Sequence, residues 1–279
     1  NEGSVSIGAD ANLGAALAPL TFNGGSLFLG TGVSTARTLV LAGDGFLQLA
    51  SGSANLSGLI AGAGSLVFLG GGTFALGAAN AFSGMARVSG GSLLLLDANA
   101  IATNPVEIAP GAVLSAAAVP QVFLGGLTGA GGSLVLPASV SALTVSVGTG
   151  ISLGAYAGSI SGSASLVKLG AGTLGLSGSS AYTGDTVLRE GWVEVGNASA
   201  LGTGGLVRFA GGGLRWAPGT TADLSARIGT LAAGTAAMVD TAMNDLSFSA
   251  PLSGEGGLTK LGAGLLTLGT ANTFTGTLV

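Results

Sequence analysis

Residues 165–202 read SLVKLGAGTLGLSGSSAYTGDTVLREGWVEVGNASALG, and this stretch decides the fold. Aliphatic residues alternate with other residues in short runs, as at Leu174 and Leu176. Glycine or a polar turn ends each run after four or five residues. Such period-two runs, broken by glycine, are typical of short strands joined by tight turns. An interior glycine also costs a helix about 1 kcal/mol relative to alanine. The sequence therefore predicts an all-β chain with negligible helix.

The same pattern occurs three times along the chain, near residues 62–101, 162–202 and 254–279. Residues 66–101 and 166–201 align without gaps and share 12 of 36 residues. An aromatic residue occupies the same position in each copy, namely Phe82, Tyr182 and Phe274. Weaker echoes lie between the copies, and no linker or shift in composition separates them. We therefore expect residues 1–279 to form a single continuous domain.

Short repeated strands fit a sandwich, a propeller or a solenoid. The abundance of glycine and alanine favours a solenoid, because a narrow coil stacks equivalent turns about 4.8 Å apart. A propeller would contain more aromatic residues than the 5% found here. At roughly 20 to 25 residues per turn, the 279 residues predict a β-solenoid of about 12 rungs.

The composition excludes several functional classes. The chain has 8 Lys and Arg, 12 Asp and Glu, no His and no Cys, with a formal charge of −4. This balance provides no basic patch for nucleic acid. It also removes the common zinc sites, thiol nucleophiles, His-based triads and disulfides. We expect no cofactor and no metal. No apolar run is long enough for a transmembrane segment, and the first residues lack a signal-peptide pattern, so we expect a mature or excised segment.

Residues 256–277, GGLTKLGAGLLTLGTANTFTGT, and residues 165–202 resemble the passenger-associated transport repeat of bacterial autotransporters. That repeat has the pattern G-x-L-x-K-x-G-x-G-x-L-x-L, followed by a polar-aromatic-Thr-Gly-x-Thr turn. The copy at 65–101 departs from it, with Phe68 in place of the lysine and Ala86 in place of the second threonine.

The resemblance implies a right-handed parallel β-helix, secreted by a Gram-negative bacterium and extracellular or displayed at the cell surface. It associates the repeat with secretion and stacking, and not with an active site. We expect no translocator barrel, because the chain stops inside a repeat at Val279.

A possible ligand surface surrounds Trp192. Strand alternation places Glu190, Trp192 and Glu194 on one face, where a tryptophan between two carboxylates could bind a sugar or a protein. The other interpretation is an ordinary outward-facing strand. Binding is favoured if Tyr182 and Trp192 line one exposed groove.

Catalysis has little support in the sequence. A polysaccharide-active enzyme would need several carboxylates that converge from successive turns, together with a base. Asp240 and Asp245 do not meet that need, and Asp223 would have to join them in space. The equivalent lysines Lys168 and Lys260 could stack on carboxylates of a neighbouring turn. We therefore expect a protein that is not an enzyme.

Self-association follows from the low charge and from the chain ends. Charge normally keeps proteins soluble and apart, so a neutral surface favours head-to-tail or lateral contact between copies of the chain. The ends also complete one repeat, because residues 277–279 align with 186–188 and the residues from Asn1 onward continue that alignment. The junction would consist of Asn1, Glu2, Gly3, Val5, Phe274, Thr277, Leu278 and Val279.

The leading hypothesis is thus a non-enzymatic extracellular structural β-solenoid that stacks into a fibre or layer. The alternative is an adhesin or carbohydrate-binding passenger fragment that contacts glycans or a host surface. A polysaccharide-active enzyme is the third possibility.

Overall fold

The structure, a computed structural model, describes residues 3–101, 104–117, 119–149 and 153–279. It confirms the predicted fold class: the chain is all-β and forms a parallel β-solenoid of about 13 turns, with essentially no helix. The helical pieces among these residues are two short 3-10 turns, Asp10–Leu13 and Ser225–Arg227. None of the described helical segments has the length and apolar character needed to cross a bilayer.

The chain folds as two compact units, residues 1–141 and 142–279. Each unit is described by itself, as unit 1 and unit 2. The expectation of a single continuous domain stays a prediction.

Among the described residues of unit 1, most strands stack in three sheets in which neighbouring strands run parallel. Sheet A contains β1 (Ser4–Ile7), β3 (Ser26–Leu29), β6 (Gly45–Gln48), β9 (Leu66–Leu69), β12 (Ala86–Val88), β14 (Pro105–Ile108) and β17 (Gly126–Thr128). Sheet B contains β2 (Leu20–Phe22), β5 (Leu39–Leu41), β8 (Ile60–Gly62) and β11 (Ala81–Phe82). Sheet C contains β4 (Ser34–Thr35), β7 (Ser53–Leu56), β10 (Thr73–Leu76), β13 (Ser92–Leu95), β15 (Val113–Ala116) and β18 (Ser133–Leu136). Strand β16 (Gln121–Leu124) also lies in unit 1.

Unit 2 is built in the same way. Sheet D contains β19 (Ala142–Ser146), β21 (Ser165–Leu169), β23 (Thr186–Leu188) and β25 (Val207–Phe209). Sheet E contains β22 (Thr173–Leu176), β24 (Trp192–Val195), β26 (Gly213–Trp216), β27 (Ala236–Asp240) and β30 (Gly257–Leu261). The remaining strands are β20 (Ser159–Gly162), β28 (Leu246–Phe248), β29 (Ser253–Gly254), β31 (Leu266–Leu268) and β32 (Thr273–Phe274).

The core consists of side chains stacked in register from turn to turn. Leu47, Phe68, Val88 and Ile108 are successive partners in sheet A, and each has no exposed surface. The partners are 20 or 21 residues apart, which is the length of one turn. Because side chains alternate between the two faces of a strand, every second residue of each strand points into the core and is removed from water. Contacts between turns therefore supply most of the stability.

The repeat glycines are required by close approach between turns. A Cβ atom on Gly184 would overlap the carbonyl of Ala164 in the preceding turn, and Gly84 and Gly276 are crowded in the same way. Gly170 has a φ of 72°, a backbone conformation that favours glycine. These glycines therefore mark the positions in the sequence where successive turns come closest to each other.

A polar side chain at one repeat position links each copy to the turn before it. The residue is Asn80, Ser180 or Asn272 in the three copies. In each copy its side-chain oxygen accepts a hydrogen bond from the backbone N–H that lies 20 residues earlier, at 2.8, 3.3 and 2.7 Å. The same contact in all three copies explains why the repeat carries a hydrogen-bonding residue there.

Candidate functional site

The most chemically varied surface of unit 2 is the outward face of sheet E. We define the Trp192 face as Trp192, Glu194, Arg215, Met238 and Asp240. On β24, Val193 and Val195 are buried while Trp192 and Glu194 are partly exposed, as strand alternation predicts. The register aligns Trp192 with Gly213 and Met238, and aligns Glu194 with Arg215 and Asp240. Turn stacking therefore gathers residues that are up to 48 positions apart in sequence.

Gly213 provides the space in which the Trp192 indole lies. A Cβ atom on Gly213 would stand 2.7 Å from Cε3 and 2.9 Å from Cη2 of Trp192. No real side chain fits at that separation. The six-membered ring therefore covers the backbone of the next turn, which fixes the indole on the sheet.

Arg215 joins the indole to a carboxylate. Its Cζ atom lies 5.2 Å from the centroid of the Trp192 ring, within the range of a cation–π interaction. Its Nε donates a hydrogen bond to Asp240 Oδ2 at 2.8 Å. Partial burial opposes ionisation of Asp240. The hydrogen bond from the Ala242 backbone N–H and the interactions with Arg215 outweigh it, so the pKa of Asp240 lies below its ordinary value of 3.8.

The two glutamates beside Trp192 differ in their contacts. Glu190 is exposed and its Oε2 accepts a hydrogen bond from the Gly170 backbone N–H at 3.0 Å. Glu194 forms no ion pair with any residue that the structure describes. Its carboxylate is therefore the more available of the two for an external hydrogen-bond donor.

Tyr182 does not belong to the possible ligand surface, so the groove with Trp192 that would favour binding is not formed. The side chain is 1% exposed and its hydroxyl hydrogen-bonds to Thr186 Oγ1 at 2.6 Å. Burial raises the pKa of Tyr182 to about 12. The physical reason is that its position in the repeat faces the core, as it does for Phe82, which is also 1% exposed.

The acidic residues considered for catalysis each have separate structural partners. Asp223 accepts hydrogen bonds from the backbone N–H groups of Ser225 and Ser249, and Asp245 accepts one from the Leu265 N–H at 2.8 Å. Asp240 pairs with Arg215 as described above. Across the described ranges, no group of three acidic side chains is placed to hold a metal ion.

Lys168 has a buried side chain that forms no ion pair among the described residues, although the carboxylate of Glu190 on the next turn acts on it electrostatically. Its side chain is fully buried, and Nζ donates to the carbonyls of Leu169 and Gly170 at 2.6 Å and of Glu190 at 3.3 Å. Burial lowers the pKa of Lys168 to about 8, and the negative charge of Glu190 opposes that effect. At the equivalent position, Lys260 Nζ donates to the Gly262 carbonyl at 2.5 Å. These lysines therefore cap turn carbonyls.

The residues expected at the assembly junction lie at two strand edges. Val5 is 55% exposed on β1, next to Gly3, and β1 pairs with β3. Leu278 and Val279 are 59% and 72% exposed, and the backbone of Val279 pairs with Lys260. Thr277 is exposed and Phe274 is half-buried in the same turn. Asn1 and Glu2 lie outside the described residues.

Comparison with known proteins identifies the repeat. Residues 66–95, 166–195 and 258–279 match the passenger-associated-transport-repeat family. The chain is also similar to a protein described as "Adhesin BmaC autotransporter" from Brucella suis biovar 1 (strain 1330), with 42% identity over 121 residues. That match covers 39% of this chain, which spans only 4% of the relative. No solved structure matches the chain significantly.

These findings confirm the resemblance to autotransporter passenger domains. The repeat family implies a secreted or cell-surface location in a Gram-negative bacterium.

Sequence reasoning found Trp192 and Glu194 but missed their neighbours Arg215 and Met238. The turn length is the signal that could have identified them. The repeat indicates turns of about 20 residues, and residues 21 to 25 positions apart lie side by side on the outward face.

Proposed function

We propose that this chain is a non-enzymatic segment of an adhesive passenger, and that it contacts an extracellular surface through the Trp192 face. The observation that carries the proposal is the partly exposed aromatic–charged cluster of that face on an otherwise sparsely charged solenoid. Tryptophan and arginine are the residue types most enriched in the energetic centres of protein interfaces. The similarity to a protein described as an adhesin supports the same conclusion.

The distribution of charge within the chain supports this choice of surface. The buried Arg37 donates to the backbone carbonyls of Gly14 and Ala15, and Arg227 donates to those of Gly202 and Gly205. These cations hold loops and are not offered to a partner.

Ion pairs absorb further charge. Arg87 pairs with Glu107, and Arg208 pairs with Asp185. Each pair spans neighbouring turns of the solenoid. The Trp192 face differs because it combines an aromatic ring with a carboxylate, Glu194, that has no ion pair among the described residues.

Adhesion of coated beads tests the proposal. Beads carrying the chain, the Trp192→Ala variant or the Met243→Ala variant are applied to cultured epithelial cells under flow. Met243 is 85% exposed and is not part of the Trp192 face, so Met243→Ala is the matched control for loss of a large exposed side chain. We expect Trp192→Ala to weaken adhesion by about fivefold or more, the effect of losing about 1 kcal/mol at a contact, and the control to retain it. Equal adhesion by all three proteins would contradict the proposal.

Self-association is a second candidate function, favoured by the exposed apolar edges at β1 and at residues 277–279. An unpaired strand edge offers N–H and C=O groups to another strand, and the alignment across the two ends supplies a matching register. We propose a second copy as the occupant, with the end of one chain against β1 of the next. A head-to-tail contact of this kind does not close and would build filaments.

Sedimentation velocity over a range of concentrations tests this second candidate, with electron microscopy to distinguish filaments from laterally associated sheets. We expect species larger than the monomer that disappear in Leu278→Asp and persist in Leu59→Asp, which makes the same substitution at an exposed leucine outside β1 and residues 277–279. A monomer at every concentration would contradict self-association and leave the adhesive proposal unaffected.

A further inference from the structure

We infer that the Trp192 face binds a neutral glycan, a chain of uncharged hexose units. This inference rests on the proposed adhesive function and names the chemistry of its ligand. It is argued from three features of the face: the indole held on the sheet, the hydrogen-bonding groups around it and the balance of the surrounding charge.

The fixed indole suits a sugar ring. A pyranose has an apolar face of C–H bonds with a weak positive potential, and the face of an aromatic ring carries the complementary negative potential. Trp192 is held against the backbone at Gly213 and beside the guanidinium of Arg215. A ring that is already fixed loses little conformational entropy on binding. A sugar would contact the part of the indole that stays exposed between these two neighbours.

The hydrogen-bonding groups around the ring suit hydroxyl donors. Glu194 is two residues from Trp192 on the same face and has no ion pair among the described residues, whereas both oxygens of Asp240 already accept hydrogen bonds. Ionised carboxylates only accept hydrogen bonds, and sugar hydroxyls donate them. The column of Trp192 also contains Thr173 and Thr259, whose hydroxyls both donate and accept. The face can therefore bind several hydroxyl groups along the sheet.

The charge around Trp192 is balanced and gives no net attraction for an acidic sugar. Three carboxylates and three cations lie around it: Glu190, Glu194, Asp240, Arg189, Arg215 and Lys260. Of the cations, Arg215 is already paired with Asp240, and Lys260 Nζ donates to a backbone carbonyl. A sulfate or carboxylate group on a sugar would therefore gain little from this charge, and the face favours neutral glycans over sulfated or sialylated ones.

The test measures binding of neutral and acidic oligosaccharides to the full chain. The probes are maltohexaose, cellohexaose and mannohexaose as neutral glycans, with a heparin hexasaccharide and oligogalacturonate as acidic ones. Tryptophan fluorescence reports the binding, and the Trp192→Phe variant identifies the part of the signal that comes from Trp192, because Trp216 is fully buried. Calorimetry provides an affinity independent of fluorescence.

We expect saturable binding of at least one neutral glycan. Affinity should fall by about fivefold or more in Trp192→Ala and stay unchanged in Met243→Ala. Gly213→Val should weaken binding in the same way, because its side chain would displace the indole. Circular dichroism confirms that each variant folds, and Trp192→Ala carries the test if Gly213→Val does not fold. Binding of acidic glycans alone, binding unaffected by Trp192→Ala, or no binding by any neutral probe would overturn the inference.

Adhesion to cells whose surface glycans have been oxidised with periodate separates this inference from the proposed function. Loss of Trp192-dependent adhesion after periodate treatment supports a glycan ligand. Trp192-dependent adhesion that survives periodate leaves the adhesive function in place and overturns the glycan inference. Adhesion that never depends on Trp192 overturns the proposed function itself.

Discussion

Because the ammonium group of Lys168 is buried, the free energy of unfolding of unit 2 should change with pH in the alkaline range. Its side chain is fully buried, and burial lowers its pKa from 10.5 in the reference state to about 8 in the folded chain. Between these two values the unfolded chain holds the proton and the folded chain releases it. The free energy of unfolding must therefore rise with pH across this range. Below pH 8 both states hold the proton, and the full cost of burying the charge is present.

The size of the effect follows from the two pKa values. Each pKa unit corresponds to about 1.4 kcal/mol, so complete deprotonation relieves about 3 kcal/mol. Between pH 7 and pH 9.5 the linkage relation yields about 2 kcal/mol. The Lys168→Met variant keeps a long apolar side chain without the ammonium and should lack this gain.

Urea unfolding followed by tryptophan fluorescence measures the difference. Trp192 and Trp216 both lie in unit 2, as does Lys168, so the signal reports the unit that contains the substitution. We expect the wild type to gain about 2 kcal/mol relative to Lys168→Met between pH 7 and pH 9.5. Lys260→Met is the control for loss of one positive charge in the same unit. Parallel pH profiles for the wild type and Lys168→Met would refute the reasoning.

Three further substitutions test contacts within and between turns. Gly184→Ala should destabilise unit 2 by about 2 kcal/mol, because the added Cβ overlaps the preceding turn. Gly229→Ala is the control: its Cβ would have ordinary contacts, so the urea midpoint should change little. Tyr182→Phe should cost about 1 kcal/mol of unfolding free energy, because it leaves the buried Thr186 hydroxyl unpaired. In a double-mutant cycle, adding Thr186→Ala should recover part of that loss. Losses that simply add would contradict this coupling. Arg37→Met should accelerate hydrogen exchange in residues 8–19 while sheets A, B and C stay protected, because Arg37 bonds to the backbone of that segment. Unchanged exchange in residues 8–19 would show that Arg37 does not hold this segment.

The fold could be predicted because its strands and its close contacts between turns each leave a regular pattern in the sequence. Period-two alternation defines the strands, and the glycines at equivalent positions mark where turns approach each other. Gly84, Gly184 and Gly276 are the clearest examples, since all three are crowded by the preceding turn. The expected 12 turns are close to the 13 found.

The site was only partly predictable, because its composition depends on register between turns. Strand alternation placed Trp192 and Glu194 on one outward face correctly. Arg215 joins them only because β26 stacks on β24 with Glu194 opposite Arg215. The repeat pattern alone does not specify that register where turn lengths vary between 19 and 25 residues.

Side-chain partners at turns were the other weakness. Tyr182 precedes β23 and its ring enters the core, but the pattern does not show that its hydroxyl bonds to Thr186. Lys168 follows the alternation and shares its face with Leu166. The carbonyls of Leu169 and Gly170, which accept its hydrogen bonds, cannot be located before the turn is folded.

Oxidative footprinting of the chain bound to epithelial cells tests most directly whether the Trp192 face is the contact surface. Hydroxyl radicals label exposed tryptophan and methionine, and mass spectrometry measures the rate at each residue with and without the cells. Binding should protect Trp192 and Met238, while Met243, 85% exposed and outside the face, should be labelled at the same rate in both states. Equal labelling of Trp192 in the bound and free chain would contradict the account.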